Sequence, residues 1–183
     1  MESGVSRVLH RSIALALLAL LLSAGLGIAL HTASAASAPR PPACATRPPI
    51  ELPVNAWAPA RNQLAPPGAV AIRLCRYNTL PPKRGLAAST LITGAATVAQ
   101  LVKELDALRL PPAGAVYCPD DSGAEIDMLL AYSDGHGVFI EVALTGCTIV
   151  SNGTVIRTAA GAGAGHALLE QIERLTGYRG PTF

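Results

Sequence analysis

Residues 126–150 hold two apolar runs, Ile126 to Ser133 and Val138 to Val150. Val138, Ile140, Val142 and Leu144 share one face, and Phe139, Glu141, Ala143 and Thr145 share the other, which is the period of a half-buried strand. Asp134-Gly135 and Asn152-Gly153 bound the second run and supply the positive φ angles of tight hairpin turns. Residues 126–158, ending in Thr154-Val155-Ile156-Arg157, therefore read as a three-stranded antiparallel meander. Its apolar face needs a cover.

Two segments change the period from two to 3.6. From about Gly94 to Leu108, Val98, Leu101, Val102, Leu105 and Leu108 form a stripe opposite Gln100, Lys103, Glu104 and Asp106. Thr93 is placed to cap this helix and Pro111-Pro112 to stop it. From Ala167 to Thr176, Leu168, Leu169, Ile172 and Leu175 repeat the pattern, and Gly177 closes it. Before the first helix, Gly68 to Tyr77 reads as a strand with Val70, Ile72 and Leu74 on one face and Arg73 and Cys75 on the other; Ser89 to Thr93 reads as a short edge strand. The fold class predicted is α+β: a four- or five-stranded antiparallel sheet covered by two helices.

The N-terminal third has neither period. Arg7 and Arg11, the apolar run Ile13 to Leu30 and the small-residue site Ala33-Ser34-Ala35 read as a signal peptide over residues 1–35, cleaved before Ala36. The same run is long enough for a retained membrane anchor, which is the rival reading. Residues 36–67 are rich in proline and alanine and read as an arm, its first part a flexible linker. Cys44 and Trp57 place its later part along the domain, with Trp57 as a packing residue. Residues 68–183 form the single domain predicted.

Charge narrows the partners. The chain carries 14 Lys and Arg against 12 Asp and Glu, a net charge of +2, and loses Arg7, Arg11 and Glu2 with the leader. A mature charge of about +1 gives no basis for a nucleic-acid partner, nor for a membrane partner once the leader is gone. Cys44, Cys75, Cys118 and Cys147 all lie beyond the leader, without a C-x-x-C spacing. An even count in an exported chain reads as two disulfides, with three pairings open.

No catalytic constellation emerges. Gly161-x-Gly163-x-Gly165 before a helix lacks the spacing of a dinucleotide turn and reads as a linker. Asp120, Asp121, Glu125 and Asp127 offer oxygen ligands without a calcium-loop spacing, so no metal or cofactor is assigned. Ser122, His136 and Asp134 make a triad only on paper. Asn152-Gly153-Thr154 matches a glycosylation sequon that the hairpin turn already explains. Lys83 and Arg84 read as a solvated loop tip. The chain is not read as an enzyme.

The order of the pieces resembles the secreted bacterial subtilisin-inhibitor family. The matching segments are Ala69 to Cys75, Val98 to Leu108, Tyr117-Cys118-Pro119, Met128 to Gly135, Val138 to Cys147 and Asn152-Gly153, about 85 residues in all. The resemblance implies a small antiparallel sheet with two helices, a Cys118–Cys147 disulfide and, with it, Cys44–Cys75. It also implies a protease-binding loop formed by Tyr117, Pro119, Asp120, Asp121 and Ser122, with Asp120 entering the specificity pocket. Subtilisins keep that pocket apolar, so a carboxylate there argues against that protease class. The function this implies is a secreted, non-enzymatic, inhibitor-like domain whose partner is a protein, a secreted protease. The alternative reading is a cell-envelope interaction or spacer domain on a proline-rich tether.

Overall fold

The computed structural model describes residues 39–78, 84–114, 117–118 and 122–179. The expected leader at 1–35 lies outside them. Six strands, β1 (Ala69–Asn78), β2 (Gly85–Ile92), β3 (Glu125–Tyr132), β4 (Gly137–Ala143), β5 (Ile149–Ser151) and β6 (Ile156–Thr158), form one sheet in the order β2-β1-β3-β4-β5-β6. Every neighbouring pair is antiparallel. Helices α1 (Ala95–Asp106) and α2 (Ala164–Thr176) complete an α+β fold.

The sheet is one strand larger than the upper expectation because the run from Val138 to Val150 is not continuous. After Ala143 the chain leaves the ladder: Leu144 N–H donates to the Ala124 carbonyl at 2.8 Å, and Gly146 and Thr148 adopt φ of 69° and 44°. Pairing resumes only at Ile149. The Asn152-Gly153 turn also differs from a two-residue hairpin. It is a four-residue loop, because the Asn152 side-chain oxygen accepts the amides of Thr154 at 3.0 Å and Val155 at 2.8 Å and so replaces two ladder bonds.

Register shows why the core lies on one face. Leu74 opposes Thr90 and Met128, Met128 opposes Ile140, and Ile126 opposes Val142, which in turn opposes Val150. Against these side chains α1 sets Val98, Leu101, Val102 and Leu105, and α2 sets Leu168 and Ile172, all buried. Each large side chain buried this way contributes about 1.5–3 kcal/mol. The helix starts depart from expectation. Gly94 rather than Thr93 occupies the α1 N-cap, without a side-chain cap. The second helix begins at Ala164 rather than Ala167, since Gly165 is buried inside its first turn. A Cβ there would collide with the Ala159 backbone, so only glycine lets the helix start this close to the end of β6. Gly177 ends α2 in the left-handed conformation, φ 64°, its N–H on the Glu173 carbonyl at 2.9 Å.

The proline-rich arm is tied to the domain at several points. Cys44 is disulfide-bonded to Cys75, the Tyr77 hydroxyl donates to the Ala45 carbonyl, and Leu86 N–H donates to Thr46. Trp57 packs on Tyr132 with ring centroids 4.6 Å apart, while the Tyr132 hydroxyl donates to the Pro66 carbonyl at 2.8 Å. A short 3-10 turn at Pro59–Arg61 interrupts a stretch expected to exclude helix, with proline at its start where the missing amide costs nothing. Ala60, Leu64 and Ala65 join the hydrophobic core. The second bridge joins Cys118 to Cys147, and no cysteine is free among the described residues. Both pairings are those the resemblance implied. Two disulfides are compatible with an oxidising, extracellular location. Among the described residues no helix is long and apolar enough to cross a membrane.

Candidate functional site

The loop singled out in the sequence is held at both flanks by one segment, residues 144–148. On its N-terminal side Cys118 is bridged to Cys147, with Cα atoms 4.9 Å apart. On its C-terminal side Ser122 N–H donates to Thr145 Oγ1 at 3.1 Å, and the two hydroxyl oxygens lie 3.2 Å apart. Thr145 is only 4% exposed, so these bonds are shielded from water. Residues 147–148 are fixed in turn by β6 and its exit: Thr158 Oγ1 donates to the Cys147 carbonyl at 3.2 Å and Ala159 N–H to the Thr148 carbonyl at 2.9 Å. Tyr117 is 95% exposed at the loop's entrance. Pro119, Asp120 and Asp121 lie outside the described residues. The Thr145 hydroxyl was not singled out in the sequence, and only its nearness to Cys147 could have drawn attention to it.

Beside the bridge opens a cleft of about 590 Å³. Pro111, Tyr117, Ile149, Leu169, His166 and the Cys118–Cys147 bridge line it, together with residues 158–162. Its walls are mostly apolar, and no Asp or Glu is among the described lining residues.

The sheet face away from the helices carries Asp127, which lies within the predicted strand run Ile126 to Ser133 and counts in the sequence only as a candidate oxygen ligand. Asp127 is 2% exposed, flanked by Cys75 on β1 and Glu141 on β4, and its Oδ1 has no partner. Burial pushes its carboxyl up to about 7, with the charges of Glu125 and Glu141 adding to the effect. Burial likewise raises Glu141. Tyr77, nearby, is raised to about 12 by burial first and then by Asp127 and Glu125. The signal was present in the alternation, which puts Asp127 on the non-helical face; what buries that face was not.

The remaining candidates fall apart or become structural. Ser122 precedes β3 while Asp134 and His136 follow it, so the eight-residue strand separates them by roughly 25 Å. His136 instead stacks on Trp57, ring centroids 5.0 Å apart and planes inclined by 16°, with Asp134 4.0 Å away. Gly161 and Gly163, at φ 86° and 92°, form the tight entry into α2 rather than a linker. Asn152 of the sequon is fully buried. Among the described residues no group of three His, Cys, Asp or Glu side chains is arranged to hold a metal. In the comparisons with known proteins, no family model, curated protein or solved structure matches the chain.

Proposed function

We propose that this is a secreted, non-enzymatic binding protein that presents the loop after Cys118 to a protease, in the manner of the subtilisin-inhibitor family that its sequence resembles. Residues 1–35 act as the cleaved leader. The observation that carries the reading is the double attachment of the loop's flanks to residues 145–147, by the Cys118–Cys147 bridge and by Ser122 on Thr145. A loop whose ends are fixed before contact has less ordering entropy left to lose, which raises affinity and slows release. In a protease cleft the same constraint keeps a cut bond's two ends together, so religation competes with hydrolysis.

Asp120, two residues beyond Cys118, sets the partner's chemistry. A carboxylate buried in an apolar specificity pocket without a counter-charge is strongly disfavoured, so the partner is a protease that accepts an acidic residue. The test is titration of the oxidised protein against a panel of secreted serine proteases, some acid-preferring and some preferring large apolar residues. The reading expects stoichiometric inhibition of an acid-preferring member, weakened when Asp120 is replaced by Leu. Inhibition of none, or inhibition indifferent to Asp120→Leu, would overturn it.

A further inference from the structure

We propose that the cleft beside the Cys118–Cys147 bridge binds a small apolar carboxylic acid, with its body against Ile149, Leu169 and Pro111 and its carboxylate at the start of α2 near Arg109 and Thr148. The inference stands apart from the protease reading. It begins from capacity: sites for small molecules hold about 300–1,000 Å³ behind mostly apolar walls with few polar groups, and this cleft has about 590 Å³ of that character.

Thr148 is the first sign that the cleft is made for a ligand. A β-branched residue at φ 44° is strained, and Thr148 lines the cleft while only 4% exposed, its Oγ1 hydroxyl without a partner. Strain and an unpaired hydroxyl each cost stability, and the two coincide where a ligand is to be met. The hydroxyl itself is shielded from solvent, so a ligand meets it only when the side chain turns to another staggered χ1 rotamer.

Charge selects an anion. Arg109 Nη2 donates to the Ala160 carbonyl at 3.2 Å, which brings the guanidinium to the rim beside Gly161. His166 lines the cleft in the first turn of α2, its Nε2 3.3 Å from Glu170, so Glu170 offsets part of any charge there and Arg109 supplies the dominant field. The α2 N-terminus has Gly163 as its cap and no side-chain acceptor on its first amides. No carboxylate is among the described lining residues, and an uncharged ligand gains little from Arg109, whereas a carboxylate gains a charge-assisted bond. The volume is that of a drug-sized ligand, ample for a fused ring system and its acid group.

The experiment uses the full mature protein with both bridges intact, isotopically labelled, titrated with 2-naphthoate, with uncharged 2-naphthamide, with acetate and with N-acetyl-Ala-Ala-Phe. Expected are saturable resonance shifts confined to the neighbourhood of Ile149, Ala160, Gly161 and His166, and naphthoate binding about tenfold tighter than naphthamide, with acetate too weak to saturate. Arg109→Ala should erase the preference for the acid, so that naphthoate and naphthamide bind the variant equally. Thr148→Gly should raise the Tm by relieving strain yet weaken naphthoate, a divergence that a purely structural role does not produce. Equal binding of acid and amide, shifts elsewhere on the fold, no saturation at millimolar naphthoate, or tighter binding of the peptide acid would each overturn the proposal; the ligand comparison on the unaltered protein decides even if a variant fails to fold.

Discussion

The side-chain amide nitrogen of Asn152 lies 2.8 Å from the carbonyl oxygen of Ala60, a residue 92 positions earlier in the chain. The same nitrogen also reaches the carbonyls of Gln63 at 3.0 Å and Leu64 at 3.1 Å, so its two hydrogens are shared among three acceptors. Its Oδ1 meanwhile holds the β5–β6 loop, and its own carbonyl accepts Asn55 Nδ2 at 2.6 Å. One buried side chain thus joins arm to sheet. Asn152→Ala strands several buried backbone groups and should cost about 2–4 kcal/mol, read as a lower urea midpoint. Asn152→Asp should be worse at neutral pH, since it turns a carboxylate toward three carbonyl oxygens. Full burial also predicts that the sequon carries no glycan in the folded protein, which intact mass would show.

Asp127 makes stability depend on pH in a defined direction. Its folded carboxyl titrates near 7 because of burial and the charges of Glu125 and Glu141, while the unfolded chain titrates it near its ordinary value. Between about pH 4 and pH 7 the folded state therefore binds the extra proton, and stability falls as pH rises through that window. Asp127→Asn should flatten the profile and stabilise the protein at pH 8 by about 1–3 kcal/mol, allowing for partial screening. Denaturation midpoints at pH 5 and pH 8 check it; an unchanged difference between the two would reject the assignment.

Gly165 tests how tightly α2 is seated. Since a Cβ would meet the Ala159 carbonyl, Gly165→Ala should destabilise by about 1–3 kcal/mol despite alanine's better helix propensity. An exposed control in the same helix, Glu170→Ala, should change stability by less than about 0.5 kcal/mol. If Gly165→Ala instead stabilises, the close approach is wrong.

What could be read from the sequence was whatever a local period encodes. β3, β4 and α1 each present one face to the core, so alternation or the 3.6 repeat exposed them. The arm was legible at Cys44 and Trp57, which placed it along the domain, but not in its anchor from Asn55 to Asn152, which joins residues 97 positions apart, whereas proline density speaks only of local backbone. Gly161, Gly163 and Gly165 misled for a related reason: glycine permits both a loose linker and a close backbone approach, and only the position of Ala159 distinguishes them. The break after Ala143 was hidden because Leu144 and Val150 are buried like strand residues although the chain between them leaves the ladder. At the candidate site, Cys118 and Cys147 were visible as chemistry, but Thr145 gave no sign that it anchors Ser122.

The constrained loop is the centre of the account, and its resistance to cleavage is the most direct measure of it. The wild-type oxidised protein and a Cys118→Ser, Cys147→Ser variant would each be incubated with an acid-preferring serine protease and followed by intact-mass spectrometry for scission between residues 118 and 122. The wild type should stay uncut or only partly cut within a persistent one-to-one complex, and the variant should be cut to completion and released. Equal cutting of both proteins, or loss of the wild type as an ordinary substrate, would contradict it.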